Sequence, residues 1–228
     1  MLLRLFTLFF SFFFCVNSHA ETTSPSITDL VKHAVDYPTR TNIIDAYNNI
    51  VRYRSFDKDV LHLHFDIIRQ SLNDDEIAIE LFALLRDNEK VDYIAFTVRN
   101  QYEVPHICNL FNEDALNCEL EKGETIFKDT KVASLLLEPL RKELIGVKKI
   151  YFTPAGKLHL FAIEYSNVED GMMLGEKYEF NRLTSSAMLT HRMDKREGYS
   201  TYVIYGGIDF DVLPNYKERY KGEQKNVN

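Results

Sequence analysis

The cysteines are the most reactive side chains of this 228-residue chain, and two of them, Cys108 and Cys118, lie near its middle. A thiol becomes a strong nucleophile when a histidine or a cation stabilises the thiolate. Neither cysteine has the surroundings of a peptidase nucleophile, and Cys108 lies in an apolar, strand-like run from His106 to Phe111. We therefore expect two small packing residues. A disulfide between them stays open as the alternative.

The histidines suggest metal binding only at one place. His62 and His64 are two residues apart, and on a helix they project to opposite sides, whereas on a strand they would share a face. The apolar spacing around them favours a helix, so we expect no shared ion. His33, His106, His159 and His191 are scattered, and no cofactor or metal site is predicted.

Three other polar groups have simpler structural interpretations. Ser185 and Ser186 follow Thr184 without a nucleophile elbow, so we expect them to cap a helix. The carboxylates of residues 74–76 are typical of a solvated turn between a helix and a strand. Gly206 and Gly207 lack the third glycine and the lysine of a phosphate loop.

The first 20 residues have the pattern of a secretory signal peptide. Arg4 precedes an unbroken apolar run, and Ser18-His19-Ala20 is a small-x-small cleavage signal. The apolar run is shorter than the roughly 20 residues of a membrane span. We expect cleavage after Ala20, export, and no membrane attachment of the mature chain. Its 26 basic and 34 acidic residues give a net charge of −8, which argues against a nucleic-acid partner.

The remaining chain predicts an α+β protein. Residues 21–75 have a helical period: a first helix capped by Ser26 with Asp29, a second from Thr41, and a third from Asp57 or Asp59. From Glu76 the period is two, which predicts antiparallel strands at 77–82, 93–98 and 106–111. A polar loop with one short helix follows, up to Lys131.

The most informative segment runs from Leu135 to Leu189. Leucines at helical spacing end at Gly146, where a C-cap needs positive φ. Residues 150–152 predict a strand, Thr153-Pro154-Ala155-Gly156 a turn, and residues 158–163 a second strand, which together make a hairpin. A further strand is predicted at 178–183 and another at 201–205.

This segment resembles the opening of a CHAT domain, a bacterial branch of the caspase-like cysteine peptidases. Five fragments match in order: Glu138-Pro139-Leu140, Gly146 to Phe152 with Tyr151, Pro154-x-Gly156-x-Leu158-His159, Ala162-Ile163-Glu164, and Arg182-Leu183-Thr184-Ser185-Ser186. Weaker similarity reaches back to Ser71 and forward to Asp211. The resemblance implies structural roles for these residues, and it matches Gly206, Gly207 and Asp209 to the end of the first strand of the caspase-like core.

The resemblance also implies that the catalytic part of the family follows this region. CHAT peptidases place a His-Gly pair and a cysteine after later core strands, and neither is matched here. We expect residues 76–214 to be the N-terminal part of a CHAT-like domain, with 215–228 a polar tail, in a truncated protein that is inactive alone. A secreted protein-binding module is the alternative. An unpaired core strand also predicts self-association through residues 199–208.

Overall fold

A computed structural model describes residues 25–55, 64–123, 130–168 and 171–193, and these belong to one unit that extends to Met193. The expected signal peptide, His62, the strand at 201–205 with Gly206, Gly207 and Asp209, the self-association segment 199–208 and the tail 215–228 lie outside the described residues.

Three strands form the antiparallel meander that the sequence predicts. They are β1 (Glu76–Leu85), β2 (Val91–Val98) and β3 (His106–Asn112), paired β1 with β2 and β2 with β3. The turn between β1 and β2 is closed by a hydrogen bond from the Arg86 N–H to the Lys90 carbonyl, and Glu89 has a φ of 61°. The period-two pattern therefore predicted this half of the sheet correctly.

The other half of the sheet is parallel, which corrects the expectation of antiparallel strands throughout. β4 (Lys149–Thr153) pairs with β1, and β5 (Glu179–Arg182) pairs with β4, both in parallel. The strand order is β3-β2-β1-β4-β5. A parallel partner requires a long crossover connection, usually helical. Residues 113–148 supply it with α4 (Glu113–Leu120) and α5 (Lys131–Leu140), and Gly146 turns the chain back with a φ of 73°.

Helices at the start of the chain cover one face of the sheet. They are α1 (Ile27–Asp36), α2 (Arg40–Arg54) and α3 (Phe65–Gln70). Ser26 and Asp29 form the predicted capping box. The second helix begins slightly earlier than predicted, because the Thr39 hydroxyl accepts the Asn42 N–H at 3.2 Å. α3 begins at Phe65, and the start predicted at Asp57 or Asp59 lies outside the described residues.

The sheet separates two hydrophobic clusters, so the described unit has three layers. Alternate residues of β1 face opposite layers: Ile77, Ile79 and Leu81 pack with α4 and α5, whereas Ala78 and Leu84 pack with α1 to α3. Burial on both faces explains why β1 is apolar at almost every position. The short helix α6 (Leu174–Lys177) lies in the connection from β4 to β5.

The predicted second strand of the Pro-Gly hairpin is wrong. Residues 156–160 and 163–165 form two 3₁₀ helices. The Arg182 guanidinium donates to the carbonyl oxygens of Leu158 (3.2 Å) and Phe161 (2.7 Å) and binds the Glu164 carboxylate at 2.8 Å. Because a side chain from β5 satisfies these carbonyls, the segment does not need a strand partner.

Two buried carboxylates lie in β1. Glu80 is fully buried; its carboxylate binds Arg54 at 2.6 Å and accepts the Ser186 N–H at 2.9 Å. Glu76 is also buried and accepts the Tyr151 hydroxyl at 3.1 Å, so it is not part of a solvated turn as predicted. Buried charges need partners of this kind to be tolerated.

No helix within the four described ranges is long and apolar enough to cross a membrane.

We predict that Arg54→Gln lowers the free energy of unfolding by about 3 kcal/mol, because it leaves the Glu80 carboxylate buried without its cation. Adding Glu80→Gln should restore much of the loss, since the buried charge is then removed. Urea unfolding measures both. The control is Lys148→Gln, which breaks an exposed ion pair with Asp75 and should cost less than about 1 kcal/mol. If Arg54→Gln and Lys148→Gln lowered the free energy of unfolding equally, the burial of the Glu80 charge would not be the cause of the loss.

We also predict that Gly156→Ala costs about 2 kcal/mol or more. Gly156 has a φ of 51°, and a Cβ there would lie 2.5 Å from the Tyr93 hydroxyl oxygen, which accepts the Lys157 N–H. Gly146→Ala is the matched control, since Gly146 has positive φ but no atom within 4 Å of the added carbon. A Gly156→Ala loss no larger than that of the control would show that the contact with Tyr93 is unimportant.

Candidate functional site

The two cysteines have different surroundings in the structure. Both are unpaired: Cys108 lies partly buried on β3 and Cys118 lies exposed on α4. Burial, together with the charge of Glu143, raises the pKa of the Cys108 thiol to about 12. At pH 7 the thiolate fraction of such a group is about 10⁻⁵. The predicted packing role fits Cys108, which contacts the core, and is wrong for Cys118.

The structure places a histidine–carboxylate pair near Cys108 that the sequence analysis did not predict. His106 Nδ1 lies 3.1 Å from a Glu143 carboxylate oxygen, which also accepts the Tyr102 hydroxyl at 2.6 Å and the Thr97 hydroxyl at 3.0 Å. The Tyr102 ring stacks on the imidazole with 3.9 Å between centroids. These contacts join the segment after α5 to β2 and β3.

A cleft of about 810 Å³ lies at the carboxyl ends of β4 and β5. Open sheets with parallel strands commonly bind ligands outside this end of the strands. The volume lies within the usual range for small-ligand pockets. We call this recess the strand-end cleft; its lining residues come from the end of α2, the segments after β4 and β5, and the last 3₁₀ helix: Tyr53, Arg54, Ser55, Pro154, His159, Arg182, Leu183, Thr184 and Met188.

Arg54 is held at the strand-end cleft by the buried Glu80. One guanidinium nitrogen, Nη1, donates to the Glu80 carboxylate. The other guanidinium N–H groups have no hydrogen-bond partner among the described residues. Glu80 itself is fully buried and does not line the cleft. The side of Arg54 that faces the cleft is therefore free to donate to a ligand.

Arg182 is fixed just as firmly. Its guanidinium binds the Leu158 and Phe161 carbonyls and the Glu164 carboxylate, which does not line the cleft. Such bonds keep the planar group in one orientation. The two arginines thus present fixed positive charge to one recess.

His159 lies exposed between these cations. Its imidazole has no hydrogen-bond partner within the described part of the chain. Partial burial lowers the pKa of His159, and the charges of Arg54 and Arg182 lower it further. The ring is accordingly neutral at pH 7. The strand expected around His159 is a 3₁₀ helix, which places its side chain at the cleft.

The predicted motif residues are divided by the structure into three groups. Pro154, Arg182 and Leu183 line the cleft, and Gly156, Leu158 and Glu164 form its supporting 3₁₀ segment. Pro139, Gly146 and Tyr151 lie elsewhere: in α5, in the turn after it, and on β4. The structural role that the resemblance implies for these residues stays a prediction.

Ser185 has the predicted capping role, although the helix that it starts is a 3₁₀ helix (Ser186–Met193), and the prediction is wrong for Ser186, the first residue of that helix. The Ser185 hydroxyl accepts the Ala187 N–H at 3.2 Å and donates to the Val51 carbonyl at 3.2 Å. The Ser186 hydroxyl donates to Glu80. Both serines are buried, and they tie the last 3₁₀ helix to α2 and β1.

Among the described residues, no group of three histidine, cysteine or acidic side chains could hold a metal ion.

No protein-family model matches the chain, and no curated protein matches it.

We predict that the two thiols react at very different rates. In the native protein at pH 8, Cys118 should react with an aromatic disulfide reagent within minutes, whereas Cys108 should react only in urea, because burial raises its pKa. The variant Cys118→Ala should lose the fast phase alone. If neither thiol reacts until the protein is reduced, the two cysteines form the disulfide that the sequence left open.

Proposed function

We propose that the described residues form the non-catalytic N-terminal part of a CHAT-like, caspase-related domain in an exported protein, and that this part binds protein. The observation that carries the proposal is the surroundings of the two thiols, Cys108 and Cys118. Both thiols are free, Cys108 is partly buried on β3, where burial raises its pKa, and no hydrogen bond links either thiol to a histidine within the described residues. A cysteine peptidase needs a thiolate beside an imidazole.

The resemblance assigns the first strand of the caspase-like core to residues 201–205, outside the described residues, so the described sheet belongs to the segment that precedes this core. A sheet in which β1, β4 and β5 are parallel, with helical layers on both faces, is compatible with that position. The matched residues Gly156, Leu158, Glu164 and Arg182 form one interlocked unit around the end of β5. That interlocking supports a structural reading of the shared motif.

The binding role is supported by the strand-end cleft. It combines apolar side chains, among them Pro154, Leu183 and Met188, with a few fixed polar groups. Binding sites on proteins commonly have this composition. The leader of residues 1–20 supports export, so the partner would be met outside the cytoplasm.

A second candidate is a non-catalytic portion of a CHAT endopeptidase whose histidine and cysteine are encoded further downstream. The parallel strands β1, β4 and β5 favour it as much as they favour a binding module. Translation of the DNA that follows the gene, in all three frames, separates the two candidates. A frame with a His-Gly pair and a later core cysteine would support the endopeptidase.

We predict that the mature protein cleaves no peptide of a fluorogenic library and enriches specific sequences from a displayed peptide library. The double variant Cys108→Ala, Cys118→Ala should behave identically in both assays, because no hydrogen bond joins either thiol to a histidine among the described residues and burial raises the pKa of Cys108. Thiol-dependent cleavage that the double variant loses would refute the absence of catalysis. Failure to enrich any peptide would refute the binding role.

A further inference from the structure

The charge that lines the strand-end cleft is opposite in sign to the net charge of the chain. The protein is acidic, yet the two charged residues that line the cleft within the described part of the chain are arginines, Arg54 and Arg182. Their carboxylate partners, Glu80 and Glu164, do not line it. Each ion pair therefore turns its cation towards the cleft and its anion away from it.

Apolar side chains adjoin these cations. Pro154 and Leu183 follow the ends of β4 and β5, and Met188 lies half-exposed on the last 3₁₀ helix. Tyr53, a large exposed side chain, completes this part of the lining. A ligand complementary to the cleft would carry a negative group beside an apolar one.

We propose that the strand-end cleft binds an acidic peptide segment of a partner protein, with a carboxylate against Arg54 and Arg182 and an adjacent apolar side chain on Pro154, Leu183 and Met188. This inference rests on the proposed protein-binding function and names the ligand class for it. Nε and Nη2 of Arg54 form a paired N–H donor for a carboxylate. Nη1 and Nη2 of Arg182 already donate to Leu158, Phe161 and Glu164, so Arg182 contributes mainly its positive charge. Because Glu80 and Glu164 already orient the arginines, ligand binding orders few additional side chains.

A peptide fits this cleft better than a nucleic acid does. Nucleic-acid sites need a basic stripe that follows many phosphates, whereas this recess has two arginines beside apolar surface. The net charge of the mature chain would also repel a long polyanion. A single carboxylate at contact distance is much less affected, because charges further away than about 8 Å are screened at physiological ionic strength.

His159 supplies an internal reporter for the ligand. The charged groups that face it, Arg54 from α2 and Arg182 from β5, disfavour its protonation in the free protein. A bound carboxylate would counter both charges and raise the pKa of His159. Binding would then take up a proton, so affinity should be highest below the free-state pKa and should fall as pH rises through the bound-state pKa.

The test uses the mature full chain and a labelled, acetylated and amidated hexapeptide in which leucine and glutamate alternate. The matched probe replaces each glutamate with glutamine. Fluorescence anisotropy should show about tenfold or greater preference for the glutamate peptide, since charge-assisted hydrogen bonds are lost in the other. Nuclear magnetic resonance titration of His159 should show a higher pKa in the complex than in the free protein.

Two variants with the same charge change locate the site. His159→Glu puts a carboxylate among the arginines and should abolish the preference for the glutamate peptide. Leu160→Glu is the control: Leu160 is the next residue of the same 3₁₀ helix, is 90% exposed and does not line the cleft. This control should bind the glutamate peptide within about twofold of the unmodified protein.

Three results would overturn the proposal. They are equal binding of the glutamate and glutamine peptides, equal loss in the His159→Glu and Leu160→Glu variants, and tighter binding of a single-stranded RNA oligomer than of the glutamate peptide. Failure of the underlying binding function would look different. A displayed library that enriches basic or purely apolar peptides refutes only the acidic ligand, whereas a library that enriches nothing refutes protein binding itself.

Discussion

The arrangement of the described unit depends on the burial of one carboxylate. Glu80 lies at the centre of the sheet on β1, and a charge there is tolerated only with partners. The partners are Arg54, 26 residues away on α2, and Ser186, 106 residues away at the start of the last 3₁₀ helix. One group therefore links the first helical layer, the central strand and the last described segment. Because the ends of α2 and β5 are positioned by these contacts, the cleft between them is a consequence of how the buried charge is satisfied.

A contact between residues that are far apart in the sequence also explains the main error of the sequence-based prediction. Residues 158–163 alternate as a strand would, and the sequence offers no local reason against it. The deciding interaction is non-local: Arg182 occupies the Leu158 and Phe161 carbonyls that a strand would use for pairing. The meander was predictable because its signals are local, a period of two and short turns. The parallel direction of β4 and β5 was not, since it depends on where the α4–α5 crossover returns the chain.

The site was only partly accessible from the sequence for the same reason. Glu80 does leave a signal, because it is the only charged residue between Ile77 and Leu85, and a charge in such a run requires a partner. Which arginine satisfies it depends on tertiary contacts that no spacing rule gives. His159 was singled out within the motif, but its position in a cleft follows from the 3₁₀ geometry that the alternating pattern concealed. Glu143 and His106, 37 residues apart, gave no signal at all.

The chain illustrates how a protein with net charge −7 can still present a cationic recess. Net charge controls approach over distances at which screening is already strong, and contact energies are set by groups within a few ångströms. Here the negative partners do not line the cleft: Glu80 is fully buried behind Arg54, and Glu164 is bound by Arg182. A carboxylate behind an arginine fixes the direction in which the guanidinium points, but it also cancels part of the positive potential at the cleft. Such a cleft favours a ligand whose negative group matches the orientation of the guanidinium groups closely. Fixed ion pairs therefore create selectivity without a large net charge at the site.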